Sequence, residues 1–311
     1  EVGRKVVLIT PARFLFHAGH TPKAWNEKML ADRHLSVPVY VPSSGKLFPG
    51  TDIKGGIAVT YRDEDRSGEP IETFTKYPEL NEILRKVADS SPNSLVALGM
   101  TSTRSYGYTD KLYQDTPEAL AVRPEGSEND AAIIRTNTFE QLSFLYHETE
   151  PVDGREYTRV LGRLQNQRVS RWIDSRYVFG PINYFSYKVS VPRANGSGAL
   201  GEVLSSPTVL EPNTAVTQTY LTIGSFDGRT EAEACLKYIK TKFARVMLGV
   251  LKITQHNPAK TWEHVPLQDF TSASDIDWSK SIPEIDQQLY AKYKLDTDEI
   301  AFIESHVKPM E

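Results

Sequence analysis

The sequence predicts an α/β segment followed by a longer region of mixed α+β structure. Three observations carry this. An unbroken apolar run at residues 6–10, a helix-like segment at 21–30 and a second β-branched run at 57–61 come in strand–helix–strand order, the order that builds α/β sheets. After a polar, turn-rich stretch at 63–70 the pattern changes to short alternating runs separated by turns. The chain then closes on helical periodicities. Residues 1–75 and 76–311 are therefore read as separate domains.

Val6-Val7-Leu8-Ile9-Thr10 lacks alternation, which predicts a strand covered on both faces, as in a parallel sheet. In residues 21–30, Thr21 stands at the N-cap and Pro22 in the first turn. Residues 37–41 form a short strand that Pro38 confines to an edge, because proline offers no N–H to a ladder. Residues 57–61 follow, entered through Gly55-Gly56. A short helix is expected over 77–87, and half-buried strands over 184–191 and 217–223. Residues 230–253 space Leu236, Ile239, Phe243, Val246, Met247, Val250 and Leu251 three or four apart, with Lys237, Lys240 and Arg245 off that stripe. One continuous helix there would be about 35 Å long. Ser281 with Glu284, and Asp296 with Glu299, read as capping boxes that open two final helices.

The 311 residues are 39% apolar and 24% charged, which excludes collagen, coiled-coil and disordered classes. No apolar run is long enough to span a membrane. The one cysteine, Cys235, cannot form an internal disulfide, so a reducing, cytoplasmic setting is expected. The chain begins with Glu1 and runs quickly into its first strand, which reads as a cut inside a larger protein.

The net charge of -4 conceals strong segregation. Residues 155–193 hold eight Lys/Arg and two acids, a balance of +6. Residues 235–260 hold six Lys/Arg and no acid, again +6, whereas 263–311 balance at -7. Two basic segments in an acidic chain suit a polyanion-binding face, because phosphates respond to local charge. Neutralisation of basic by acidic segments across one fold is the competing explanation.

Other motifs are weaker. Gly196-Ser197-Gly198-Ala199-Leu200-Gly201 fits G-x-G-x-x-G, but Pro207 leaves no room for the helix that a dinucleotide fingerprint needs. Flanked by Lys188, Arg193 and Asn195, the loop is either a backbone approach to a phosphate or a plain surface turn. His17 and His20 are three apart, yet no second pair completes a metal site. No G-x-S-x-G elbow marks a nucleophile.

Several stretches together carry a resemblance. They are Ala12-Arg13-Phe14-Leu15, then Trp25-Asn26-Glu27-Lys28-Met29-Leu30, then Phe48-Pro49-Gly50-Thr51-Asp52-Ile53 running on to Tyr61-Arg62-Asp63. Further along come the Gly196–Glu202 loop, Thr217-Gln218-Thr219, Ile223-Gly224-Ser225-Phe226, the 237–245 segment, Val265-Pro266-Leu267-Gln268-Asp269-Phe270-Thr271 and Ile303-Glu304-Ser305-His306. In this order they resemble adenine-specific DNA methyltransferases of bacterial type II restriction–modification systems, gamma class. The resemblance covers nearly the whole chain.

It implies that residues 1–75 end a Rossmann-like methyltransferase sheet and that 76–311 form a DNA target-recognition domain. The family's S-adenosylmethionine loop and Asn-Pro-Pro-Tyr tetrapeptide would lie upstream. No Pro-Pro dipeptide occurs here. The chain would thus bind double-stranded DNA, with no membrane partner, beside the catalytic part of the same polypeptide, with or without a fused nuclease. It would be inactive alone, with no catalytic residue and no metal of its own.

Tyr61 takes the place of the family's aromatic that stacks on a flipped adenine, the competing role being ordinary sheet packing. Arg163, Arg168, Arg171, Arg176, Lys188, Arg193, Asn195, Lys237, Lys240, Lys242 and Arg245 are the expected DNA-binding residues. Gln165, Asn166, Gln167, Gln218 and Gln255 are the candidates for base readout, or else solvated turn residues. The alternatives are a stand-alone specificity module that recruits a separate catalytic chain, and an unrelated nucleotide-dependent enzyme built on the Gly196 loop.

Overall fold

β-branched and apolar side chains draw three segments of the first 63 residues into strands: β1 (Lys5–Pro11), β2 (Leu35–Val41) and β3 (Ile57–Asp63), with helix α1 (Lys23–Leu30) between the first two. The computed structural model describes residues 3–16, 21–53, 55–68, 70–71, 73–75, 77–122, 132–252 and 254–310. The strand order is β1-β3-β2, and β3 runs antiparallel to both neighbours. β1 and β2 therefore point the same way, with α1 as the helical crossover such a pair requires. Ala12, Phe14, Leu15, Leu30 and Ala58 form the core, and Phe16, Tyr40 and Phe74 meet edge to face at 5.6–5.8 Å against it.

Two expectations are corrected here. Residues 6–10 are not covered on both faces. Val7, Leu8 and Ile9 are 61%, 52% and 62% exposed, and among the described residues β1 pairs only with β3. An unbroken apolar run carries no instruction about which layers cover it. Thr21 does not cap α1. Pro22 holds the N-cap place, and its carbonyl accepts the Trp25 and Asn26 amides. Among the described residues β2 pairs only with β3, the edge position that Pro38 favours, and its register shifts between Ser36 and Val39.

Packing divides the chain into two compact units, Glu1–Glu82 and Ile83–Glu311, the division falling within α2 (Pro78–Ser90). The second unit continues with β4 (Gly107–Tyr108), α3 (Asp110–Asp115), α4 (Glu118–Ala121) and α5 (Thr138–Gln141). A hairpin of β5 (Tyr157–Leu164) and β6 (Gln167–Asp174) follows, then β7 (Val178–Phe179), β8 (Tyr187–Pro192), β9 (Thr208–Leu210), β10 (Thr214–Val216) and β11 (Tyr220–Phe226). The strands form small sheets ordered β10-β5-β6, β11-β8-β9 and β4-β7. Tyr106, Ile134, Val160, Ile173 and Ala215 lie in one buried cluster.

The expected long helix is broken. α6 (Arg229–Lys240) ends at Thr241, whose extended ψ of 152° starts α7 (Lys242–Leu248) on a new axis. The Thr241 hydroxyl donates to the Tyr238 carbonyl at 2.7 Å and accepts the Ala244 amide at 3.0 Å, closing one helix and capping the next. The apolar stripe still packs, with Ile239, Phe243, Val246 and Met247 fully buried. The break changes the phase, however, and turns Arg245 inward at 2% exposure. The last helices, α8 (Ile282–Lys292) and α9 (Thr297–His306), both begin with the predicted capping boxes.

Helices and small sheets are thus mixed in both units. Among the described residues no helix is long and apolar enough to cross a membrane, and no group of His, Cys, Asp and Glu converges as a metal site. His17 and His20 lie outside the described residues. Cys235 is buried in α6, where burial pushes its thiol pKa up.

Candidate functional site

β5 and β6 pair residue by residue up to Leu164↔Gln167, which leaves Gln165-Asn166 as a two-residue turn. Arg163 and Arg168 face each other across the strands just behind that turn. Arg193 follows β8, its amide bonded to the Thr219 carbonyl at 2.8 Å and its carbonyl to the Asn257 amide at 2.8 Å. The Gln218 amide is held by the Ile134 carbonyl at 2.9 Å. These anchors bring three separate segments to one groove of about 370 Å³. Arg163, Asn166, Arg168, Arg193 and Gln218 line it, together with Thr136, Ser205, Ser206, Thr219 and Tyr220.

The groove has three guanidinium groups and no acidic residue in its lining. Arg163 donates to the Asn166 carbonyl at 2.7 Å, and Arg168 to the Ser206 carbonyl at 2.6 Å. Arg168 also lies 5.8 Å from the ring centre of Tyr220, which fixes one wall. None of the three arginines has a carboxylate partner among the described residues. Thr136, Thr219, Ser205 and Ser206 add hydroxyl groups at the rim, the donor set that backbone phosphates accept from.

The other expected DNA-binding residues are engaged elsewhere. Arg171 pairs with Glu148 at 3.0 Å. Arg176 forks onto Asp174 at 2.9 and 2.7 Å, which raises its pKa further. Lys188 is fully buried, with its ammonium on the carbonyls of Tyr184, Ser186 and Glu211 at 3.1–3.2 Å. Burial pulls its pKa down to about 7. Asn195 is buried and bridges Val203 and Ser205. Lys237 donates to the carbonyls of Trp278, Ser279 and Lys280. Lys242 pairs with Glu304 at 2.5 Å, and Lys240 is half-buried at the end of α6. Arg245 is enclosed by backbone carbonyls, so Lys188, Asn195 and Arg245 are corrected from contact residues to structural ones. Gln165 and Gln167 project from the hairpin tip, while Gln255 is exposed and outside the groove lining.

In the first unit, Tyr61 sits on central strand β3 opposite Val7 and is half-buried. Its hydroxyl donates to Asp63 at 2.7 Å, and Lys5 reaches the same carboxylate at 3.1 Å. The Tyr61 hydroxyl, the Asp65 amide and Lys5 hold the Asp63 carboxyl down at about 2.

The Gly196 loop is closed by its own acid. The Glu202 carboxylate accepts the Ser197 amide at 2.8 Å, the Ser197 hydroxyl at 2.6 Å and the Gly198 amide at 3.0 Å, with Lys252 3.5 Å away. Gly196 has φ +62°, and a Cβ there would fall 2.1 Å from Glu202. The amides that would cradle a phosphate are thus occupied, which corrects the anion-binding option for this loop. Burial alone would raise the Glu202 pKa, but these donors hold it at about 2. A depressed carboxyl pKa contributes stability above the unfolded value, near 4.5, that is lost as pH falls toward 2. Glu202→Gln is therefore expected to cost up to about 3 kcal/mol near neutrality. The gap from wild type should close between those two pH values in denaturant melts, and a gap independent of pH would refute the linkage.

Thr136, Ser205, Ser206, Thr219 and Tyr220 join the groove without any charge or motif in the sequence that marks them as site residues. Thr219 sits beside Gln218 in Thr217-Gln218-Thr219, while Ser205-Ser206 carries no local pattern. A second concavity of about 240 Å³, near Leu84, Met247 and His264, has no comparable cluster of cations. No family model matches the chain, and no curated protein or solved structure is significantly similar to it.

Proposed function

We propose that the chain is the C-terminal part of an adenine-specific DNA methyltransferase of a restriction–modification system, and that its second unit holds duplex DNA in the Arg163–Arg168–Arg193 groove. The observation that carries this is the groove itself: three unneutralised guanidinium groups in an otherwise acidic chain. Such a surface recruits a polyanion by releasing its condensed counterions.

The first unit supports the catalytic half of the proposal. β1 and β2 run parallel through a helical crossover, as α/β sheets require. The exposed apolar side chains of β1 suit a sheet whose faces a further layer covers, as in α/β sheets. Tyr61 would supply one wall for an adenine swung out of the duplex, since an extruded base must replace its lost stacking. S-adenosylmethionine finds no cradle in the Gly196 loop, because Glu202 already fills those amides. On this reading the methyl donor and an Asn-Pro-Pro-Tyr segment would be supplied by a catalytic part of the enzyme outside residues 1–311, and residues 1–311 alone would not methylate DNA.

A fluorescence titration of the chain with duplex DNA tests the proposal. The logarithm of the binding constant should fall linearly with the logarithm of salt concentration, the three groove contacts contributing about -2.7 to the slope. A flat salt response would remove the phosphate-binding role.

A further inference from the structure

We infer that the tip of the β5–β6 hairpin, Gln165-Asn166-Gln167, reads base edges in the major groove of duplex DNA while Arg163 and Arg168 hold the backbone behind it. The inference rests on the proposed DNA-binding function and adds the element that distinguishes one sequence from another.

Local costs point to the tip. Gln165 and Asn166 both have positive φ, +49° and +62°. That is the two-residue hairpin turn whose twist matches its strands and which Asn-Gly or Gly-Gly forms with least strain. Glutamine in the left-handed region is uncommon and strained. Behind the turn, Arg163 and Arg168 stand directly opposite one another, a like-charge cross-strand pair that weakens a hairpin on its own. A cheaper turn and a neutral pair were both available to the fold. A polyanion seated between the arginines removes the repulsion, and an amide-bearing tip justifies the strained turn.

The chemistry fits base edges. Gln165, Asn166 and Gln167 are all exposed, and their side-chain amides bond to no described residue. Each carries a donor and an acceptor side by side, the pairing that meets adenine's N6 and N7. A two-stranded ribbon fits the major groove of B-form DNA, whereas the deep, narrow groove of A-form RNA excludes it. Gln218, in the lining of the same basic groove, gives a further amide beside the ribbon.

The test substitutes Gln165→Gly, Asn166→Gly and Gln167→Thr together, which keeps the favoured turn and deletes all three amides. Asn166→Gly alone is the milder companion, and thermal melting of each variant checks that the fold persists. Wild-type chain and variants select from a random duplex library, and each then binds the enriched and the unselected duplexes. The wild type is expected to enrich a motif. The triple variant should lose about 5- to 150-fold in preference for the motif over unselected duplex, the discrimination of one good bidentate contact. Arg163→Ala with Arg168→Ala should weaken every duplex about equally.

Enrichment of the same motif to the same degree by folded variants would overturn the inference. So would wild-type binding without any motif, or preferential capture of duplex RNA. Failure of the wild type to bind any duplex would instead overturn the DNA-binding function itself, and the inference with it.

Discussion

Simultaneous replacement of Arg163, Arg168 and Arg193 by alanine is expected to weaken duplex DNA binding by on the order of 10²–10³-fold at about 0.1 M salt. Each guanidinium that neutralises a phosphate releases about 0.9 of a counterion, so three lost contacts make the salt slope shallower by about 2.7. The loss should be the same for every sequence tested, because phosphate contacts carry register and not sequence. The fold should survive, since all three side chains are exposed and donate at most to surface carbonyls. The internal control lies on the same hairpin and in the turn that follows it. Arg171 and Arg176 are already paired with Glu148 and Asp174, so alanine at both should change affinity by no more than a few-fold. Anisotropy titrations between about 0.05 and 0.2 M salt measure both quantities. An unchanged slope in the triple variant, or an equal loss in the control, would disconnect the groove from DNA.

The contrast between those two sets of arginines shows what the sequence conveys. Counting charge over residues 155–193 finds the hairpin, because eight cations within 39 residues are visible at any conformation. It cannot separate Arg163 from Arg176. The distinguishing fact for Arg176 is a carboxylate two residues earlier that the turn brings back onto it, and for Arg163 it is the absence of any such partner in the lining. Capping boxes at Ser281 and Asp296 are legible because both partners lie within one helical turn. The break at Thr241 is not, because Thr, Lys and Phe all tolerate a helix and the apolar spacing runs straight through it. Lys188 is misread for the same kind of reason. Its carbonyl acceptors at Tyr184 and Ser186 are local, but the third, Glu211, arrives from the far end of β9. The groove required Ser206 and Gln218 to meet the hairpin, a closure fixed by long-range pairing that no window of sequence contains.

Arg245→Met is expected to destabilise the chain by about 3–5 kcal/mol while leaving the salt slope of DNA binding unchanged. The guanidinium is 2% exposed and works as a hub. Nε donates to the carbonyl of Lys240 at 3.1 Å and to that of Thr241 at 3.3 Å, which also accepts the Arg245 amide of α7. Nη1 donates to Gly201 at 3.3 Å and Glu202 at 3.4 Å, and Nη2 to Lys308. One side chain therefore ties the helix break, the Gly196 loop and the C-terminal segment together. Methionine fills much of the volume but offers no donor: the Lys240, Glu202 and Lys308 carbonyls lose the guanidinium bond, while those of Thr241 and Gly201 keep only the amides of residues 245 and 308. Burial lowers the arginine pKa only to about 10, so the cation persists at neutral pH. Lysine at 245 should recover little, because a compact ammonium has three donors and cannot span carbonyls arranged around a planar fork. Urea denaturation of wild type, Arg245→Met and Arg245→Lys gives the stability loss, and the DNA titration gives the slope. If Arg245 were instead a phosphate contact, the pattern would invert: an unchanged urea midpoint, a slope shallower by about 0.9, and substantial rescue by lysine.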